Sequence, residues 1–346
     1  MSQRWLAVFL ISCIAGSVAV AGSGAAQSSG PPAGRPAGAA PGMTSTPFSV
    51  PAGTIRVNLP DDMAAGDTIS GTVIAEPAGR TDAERSANAS VLQGYVVDAG
   101  LRKANGGMHR ALATPLVVLT FSVPDTASTM QLILRDARGK AVGRVTLSAH
   151  AQQPRPGTSP QPQDFRFPEV VVAGQPLAIH GPFDGDLANT TLTIGGQPAE
   201  MLAESPRKLA VAPAPNVSGP SEYRLTENRL AVIAPCSVIS LKLSAPKTSL
   251  MRGERVSVHI AIGGLAGIRT PVSVKLVNAT PQVVTLAGGA LQVLTVRPDD
   301  VAPGGTYATD RDVTGLGSGA FSIYAELDDR NPPAFVNGTP PLGHRE

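Results

Sequence analysis

The sequence predicts an all-β fold, a string of tandem β-sandwich domains, on three observations. Its 37 glycines and 32 prolines, set against 16% charged and 4% aromatic residues, favour short strands joined by turns over long surface helices. Apolar and polar residues alternate with a period of two in many short runs, the pattern of half-buried strands. A chain of 346 residues exceeds one sandwich core at roughly 100–150 residues per domain, and proline-rich stretches mark where to divide it.

Residues 1–26 read as a secretory signal peptide: Arg4 gives a positive start, Trp5 to Ile14 is almost wholly apolar, and Ala19-Val20-Ala21 offers small residues for cleavage. Gly16, Ser17 and Gly22 dilute the apolar run before it reaches the roughly 20 residues of a spanning helix, so no transmembrane segment is expected after cleavage. Leu10-Ile11-Ser12-Cys13 also resembles a lipobox, which would leave the chain lipid-anchored through Cys13 instead of released. Cleavage at the usual position leaves Cys236 as the one mature cysteine, so no internal disulfide can form. Cys236 then reads as a small buried hydrophobe, or as the site of an intermolecular bridge.

Residues 27–47, with PPAGRPAGAAPG at their centre, carry no periodic apolar pattern and read as a disordered Pro/Gly/Ala-rich tether. A first β-sandwich is expected over 48–150, with strands around Ile55, Val57 and Leu59, over Ser70 to Ala75 and over Pro115 to Val123. A hairpin is expected on either side of Asp136 to Gly139, and Arg80 to Asn88 reads as a loop or one helical turn. Residues 151–164 form a Pro-rich linker, and 165–235 a second, shorter module in which Gly195-Gly196 signals a tight hairpin. Residues 236–330 show the clearest alternation: Ile239, Leu241 and Leu243, then Val256 to Ile262, then Val272, Val274 and Leu276. Residues 331–346 read as a disordered tail.

Chemistry is sparse. With 28 basic and 26 acidic residues spread along the chain, no basic stripe exists for nucleic acid. There is no Gly-x-Ser-x-Gly elbow, no His-Glu-x-x-His and no phosphate-binding glycine loop. His109, His150, His180, His259 and His344 lack the short pair spacing of a zinc site. The acidic groups Asp61-Asp62, Asp184-Gly-Asp186, Asp299-Asp300, Asp328-Asp329 and Asp310 with Asp312 offer calcium-type oxygens, but none follows a calcium-loop spacing and each reads as a solvated turn. The sequence therefore assigns no catalytic, cofactor-binding or metal residue, no cofactor and no enzymatic activity; a hydrolase assembled from distant loops is the reading that local motifs leave open.

The second module resembles the immunoglobulin-like IPT/TIG domain through Pro168, Ala173-Gly174, Leu177, Ile179, Gly181, Gly195-Gly196, Ser205-Pro206 and Leu209, over residues 165–235. Residues 236–330 resemble, more loosely, the bacterial Ig-like repeats of invasin type. These resemblances imply an immunoglobulin-like fold and a structural, adhesive or binding role outside the cytoplasm, at the periplasm or cell surface, with a protein or polysaccharide of the envelope as partner. The alternative is a carbohydrate-binding accessory protein, which needs exposed rings to stack on sugars. Only Trp5, inside the export signal, and Tyr95, Tyr223, Tyr307 and Tyr324 are available besides phenylalanine.

Overall fold

The computed structural model describes residues 41–100, 108–125, 129–153, 160–287 and 289–328. The signal, Cys13, residues 27–40 of the tether, residues 154–159 of the Pro-rich linker and the tail lie outside these described residues. The structure is all-β, built from sheets packed as sandwiches, antiparallel except where one short strand pairs parallel.

Module 1 contains β1 (Met43–Val50), β2 (Gly53–Pro60), β3 (Thr68–Pro77), β4 (Val96–Gly100), β5 (Met108–Ala111), β6 (Leu116–Ser122), β7 (Thr129–Arg135) and β8 (Ala141–Ser148). The first strand begins at Met43, inside the segment read as tether, because Met43 to Val50 pairs along its whole length with β2. One sheet holds β1-β2-β3 with β6 on β3, and the other has the order β5-β4-β7-β8. Inward residues such as Ile55, Val57, Ile69, Leu119, Leu132 and Leu134 fill the space between. The segment read as a loop or single turn is an eleven-residue helix, α1 (Asp82–Leu92). It starts at Thr81, whose hydroxyl accepts from the Glu84 N–H while the Glu84 carboxylate accepts from the Thr81 N–H. Leu92 anchors its far end in the core.

Module 2 contains β9 (Val170–Val172), β10 (Leu177–His180), β11 (Thr190–Ile194), β12 (Gln197–Pro198), β13 (Glu200–Ser205), β14 (Lys208–Ala212) and β15 (Gly219–Glu227). Gly195 and Gly196, at φ +59° and +75°, make the two-residue turn joining β11 to β12. The core carries the chain's aromatic cluster: Phe165 meets Phe183 edge-on at 5.3 Å, and Phe167 lies 4.8 Å from Tyr223, whose hydroxyl donates to the Pro168 carbonyl at 2.9 Å.

The next strand, β16 (Leu230–Ser244), spans 15 residues. Its first part pairs with β15, from Glu227↔Leu230 to Gly219↔Val238. Its last part pairs with β18 (Arg255–Gly263), from Ser240↔Gly263 to Ser244↔His259, across the short β17 (Ser249–Leu250). Val238 faces the core of module 2 and Ile239 that of module 3. The place read as a boundary, between Pro235 and Cys236, is thus the interior of one strand. Module 3 is completed by β19 (Val272–Asn278), β20 (Val284–Leu286), β21 (Leu291–Val296), β22 (Tyr307–Gly315), β23 (Gly319–Ala320) and β24 (Ile323–Leu327). Its two facing sheets are β16-β18-β22-β20 and β21-β19-β24.

Modules 1 and 2 are joined as well. Where β2 leaves β3 after Asn58↔Thr72, β13 takes up the free edge through Gly71↔Ala203 and Ser70↔Glu204, so that one sheet runs β1-β2-β3-β13-β14-β10. Met43, Leu202, Ala203, Ala210 and Ala212 form a small apolar cluster over this seam.

Because Ile239 is fully buried in a strand that two modules share, Ile239→Ala is expected to cost about 2–5 kcal/mol. Urea unfolding followed by peptide-resolved hydrogen exchange should show modules 2 and 3 shifting together; a shift confined to module 3 would refute the coupling.

Candidate functional site

The seam between modules 1 and 2 gathers most of the buried polar side chains among the described residues: Asn58, Asp67, Ser70, Thr72, Glu204 and Ser205. A buried polar group is costly unless it is hydrogen-bonded, and Asp67, Ser70 and Thr72 find partners across the seam. Asn58 donates to the Thr72 hydroxyl at 3.1 Å, which donates to the Leu202 carbonyl at 2.9 Å. Ser70 donates to the Gly185 carbonyl at 2.8 Å and accepts from the Leu187 N–H at 3.2 Å. Arg207, on the β13–β14 turn, pairs with Asp62 and with the buried Asp67, and donates to the Asp62 carbonyl at 2.9 Å. Lys208 pairs with Asp61 at 2.9 Å. Asp61 and Asp62, which read as a solvated turn, therefore hold two modules together.

Behind the seam lies a group that sequence spacing did not bring together. Asp184, Glu204 and Glu227 come from the loop after Phe183, from β13 and from the end of β15, and each offers a carboxylate oxygen within 4.8 Å of the others. Glu204 and Glu227 are buried and Asp184 is exposed. The loop is tightly specified: the Asp184 carboxylate accepts from the Asp186 N–H at 2.7 Å, Asn189 at 2.7 Å and Asn228 at 3.0 Å. Gly185 sits at φ +85° with its Cα so near β3 that a Cβ would stand 1.9 Å from the Thr68 carbonyl oxygen. Glu227 accepts from the Asp184 N–H at 2.9 Å and from the Thr190 hydroxyl. Glu204 accepts from the Gly185 N–H at 2.9 Å through one oxygen, while its other oxygen is buried without a hydrogen-bond partner. Among the described residues no Lys or Arg pairs with any of the three. A cleft of about 610 Å³, bordered by Thr68, Phe183, Asp184, Glu227 and Asn228, opens beside the group.

Burial first, and the neighbouring Glu227 charge second, push the Glu204 carboxyl up to about 8. Burial also raises Glu227, against the pull of its hydrogen bonds from Thr190 and the Asp184 backbone.

The other candidates stay apart. Asp300 accepts from the Arg297 N–H at 2.9 Å, Asp310 meets His259 at 2.9 Å, and Asp312 is exposed on β22. Asp328 is buried, with the Lys275 ammonium at 4.0 Å, while Asp329 and His344 lie outside the described residues. Cys236 is buried in the core of module 2, where burial and the Glu222 charge push its thiol up to about 12. Among the described residues no helix is long and apolar enough to cross a membrane.

No family model matches the chain, and no curated protein sequence matches it. Among solved structures, the Bacteroides ovatus mixed-linkage glucan utilization locus protein SGBP-B, in complex with a mixed-linkage heptasaccharide, is 12% identical, with 77% of this chain and 73% of that one covered at a TM-score of 0.25. The ICAM-5 D1–D4 ectodomain fragment is 13% identical, covering 81% and 76% at a TM-score of 0.19. The I9–I11 tandem of titin is 9% identical, covering 76% and 93% at 0.20. None of these likenesses extends to function.

Without a bound cation, the folded chain keeps a proton on Glu204 up to about pH 8, whereas the unfolded chain releases it near the ordinary value of 4.5. The folded state binds the extra proton between those values, so stability falls as pH rises through that window. Urea titrations in chelator from about pH 5 to about pH 8.5 are expected to show this fall, and Glu204→Gln to flatten it. A wild-type chain equally stable across the window would show that Glu204 is ionised in the fold.

Proposed function

We propose that the chain is a non-catalytic, exported protein of a bacterial cell envelope whose immunoglobulin-like modules, the second of IPT/TIG type, form a stiff spacer presenting loops and edge strands to a protein or polysaccharide partner. The observation that carries this reading is how the modules are joined. Module 2 leads into module 3 through the uninterrupted β16 and shares a sheet with module 1 through β3 and β13. A hinge needs backbone that can change φ/ψ freely, and a strand hydrogen-bonded on both sides of the junction offers none. Stiffness of this kind suits a part that holds other surfaces at a fixed distance.

The carbohydrate-binding alternative finds less support. Sugar rings are held by exposed, coplanar aromatic faces, whereas every aromatic ring among the described residues is buried or half-buried, Tyr223 completely so.

Two measurements test the proposal. Spin labels on modules 2 and 3 are expected to give one narrow distance distribution, and a Gly-Ser-Gly insertion after Cys236 to broaden it; a broad distribution in the uninterrupted chain would sink the spacer reading. The purified chain is also expected to bind cell-envelope fractions saturably and to release no product from them. Saturable binding to polysaccharide alone would favour the carbohydrate-binding role.

A further inference from the structure

We propose that Asp184, Glu204 and Glu227 form a binding site for one divalent cation of the calcium type, placed at the joint between modules 1 and 2. Three features of the group carry this, independently of the spacer reading. Its geometry fits: two oxygens facing each other across a calcium ion at about 2.4 Å stand about 4.8 Å apart, and these three side chains offer oxygens all within 4.8 Å of one another. Its chemistry fits too, since every donor is oxygen, with neither nitrogen nor sulfur to favour zinc. Above all, the fully buried Glu204 keeps one carboxylate oxygen with no hydrogen-bond partner. Buried carboxylate oxygens left in that state are expensive, and a cation or a proton is what relieves them.

Facing Glu204 are Asp184 on the loop, Glu227 on β15, and the neutral Thr190 and Ser70; Asp186 faces Glu227. Arg207 and Lys208, the basic groups nearest Glu204 in sequence, are engaged with Asp62, Asp67 and Asp61. Arg229 borders the cleft, which gives an ion a way in from solvent. The Asn228 amide, which donates to Asp184, can add a further oxygen by a half-turn of its side chain.

On loading, the three carboxylates would face a double positive charge. The bound ion would tie Asp184, and with it Gly185 and Leu187, which hydrogen-bond to Ser70 of module 1, to two strands of module 2. A cation here would therefore stiffen the joint between the first two modules.

Calorimetric titration of calcium chloride into the chelator-treated full chain tests this. One calcium is expected per chain. Magnesium is expected to bind at least tenfold more weakly, since it demands a near-octahedral set of oxygens at shorter range. Asp184→Asn removes the charge of an exposed side chain while keeping one acceptor oxygen for the loop; it and Glu227→Gln should each weaken binding tenfold or more and remove a calcium-dependent rise in Tm, while Asp299→Asn leaves both unchanged. No binding at millimolar calcium, binding untouched by Asp184→Asn, or equal affinity for magnesium would overturn the assignment.

Discussion

The backbone ladder of β16 is the interaction on which the rest of the arrangement depends. Side chains along a strand alternate between its two faces, and a ladder can change partners along its length without a break in the strand itself. In β16 the partner changes from β15 to β18 between Val238 and Ser240, and the core being filled changes at the same point, from Val238 in module 2 to Ile239 in module 3. Strand β9 makes the same division within three residues: Val171 faces the core of module 2, Val170 and Val172 that of module 3. Two sandwiches thus share a wall, and neither can lose its core without exposing part of the other.

The seam between modules 1 and 2 is of a different kind. A sheet edge left open is a hazard, and β13 closes the part of β3 that β2 leaves uncovered. Closing it brings Ser70, Thr72 and Glu204 out of water, and Ser70 and Thr72 find partners on the other side. Asp62 and Glu204 each keep one buried oxygen without a partner, and at Glu204 this concentrates negative charge where Asp184 and Glu227 already stand. Burying an acidic group costs stability, and here it leaves a site tuned to whatever small positive species is present.

Much of this was legible in the sequence, for physical reasons. The Gly195-Gly196 hairpin follows from the positive φ both positions need, and the strands of module 3 from strict alternation about one buried face. The continuity of β16 was not legible, because Pro235 and Cys236 read as a junction. Pro235 lacks an N–H, but its nitrogen faces the same side as that of Ser237, which donates to Glu169 at the edge where β9 begins. Pro235 lies beyond the β9 ladder on that side, so no ladder bond is lost there. Helix α1 was missed although Thr81 and Glu84 spell a capping box, because its polar, alanine-rich body shows little apolar stripe. Of the carboxylate group only Asp184 had been singled out, with Asp186. Glu204 and Glu227 carry no local signal, since what makes them unusual is a neighbour far away in the chain.

The direction of β9 relative to β16 has a mechanical meaning. The two strands run parallel, Val170↔Ser237 to Val172↔Ile239, one entering module 2 and the other leaving it. A pull on the two ends of the chain would slide these strands past each other lengthwise, loading their cross-strand bonds together instead of unzipping them singly. Tension would then be carried from one sandwich to the next through backbone, with the side-chain cores largely out of the line of force.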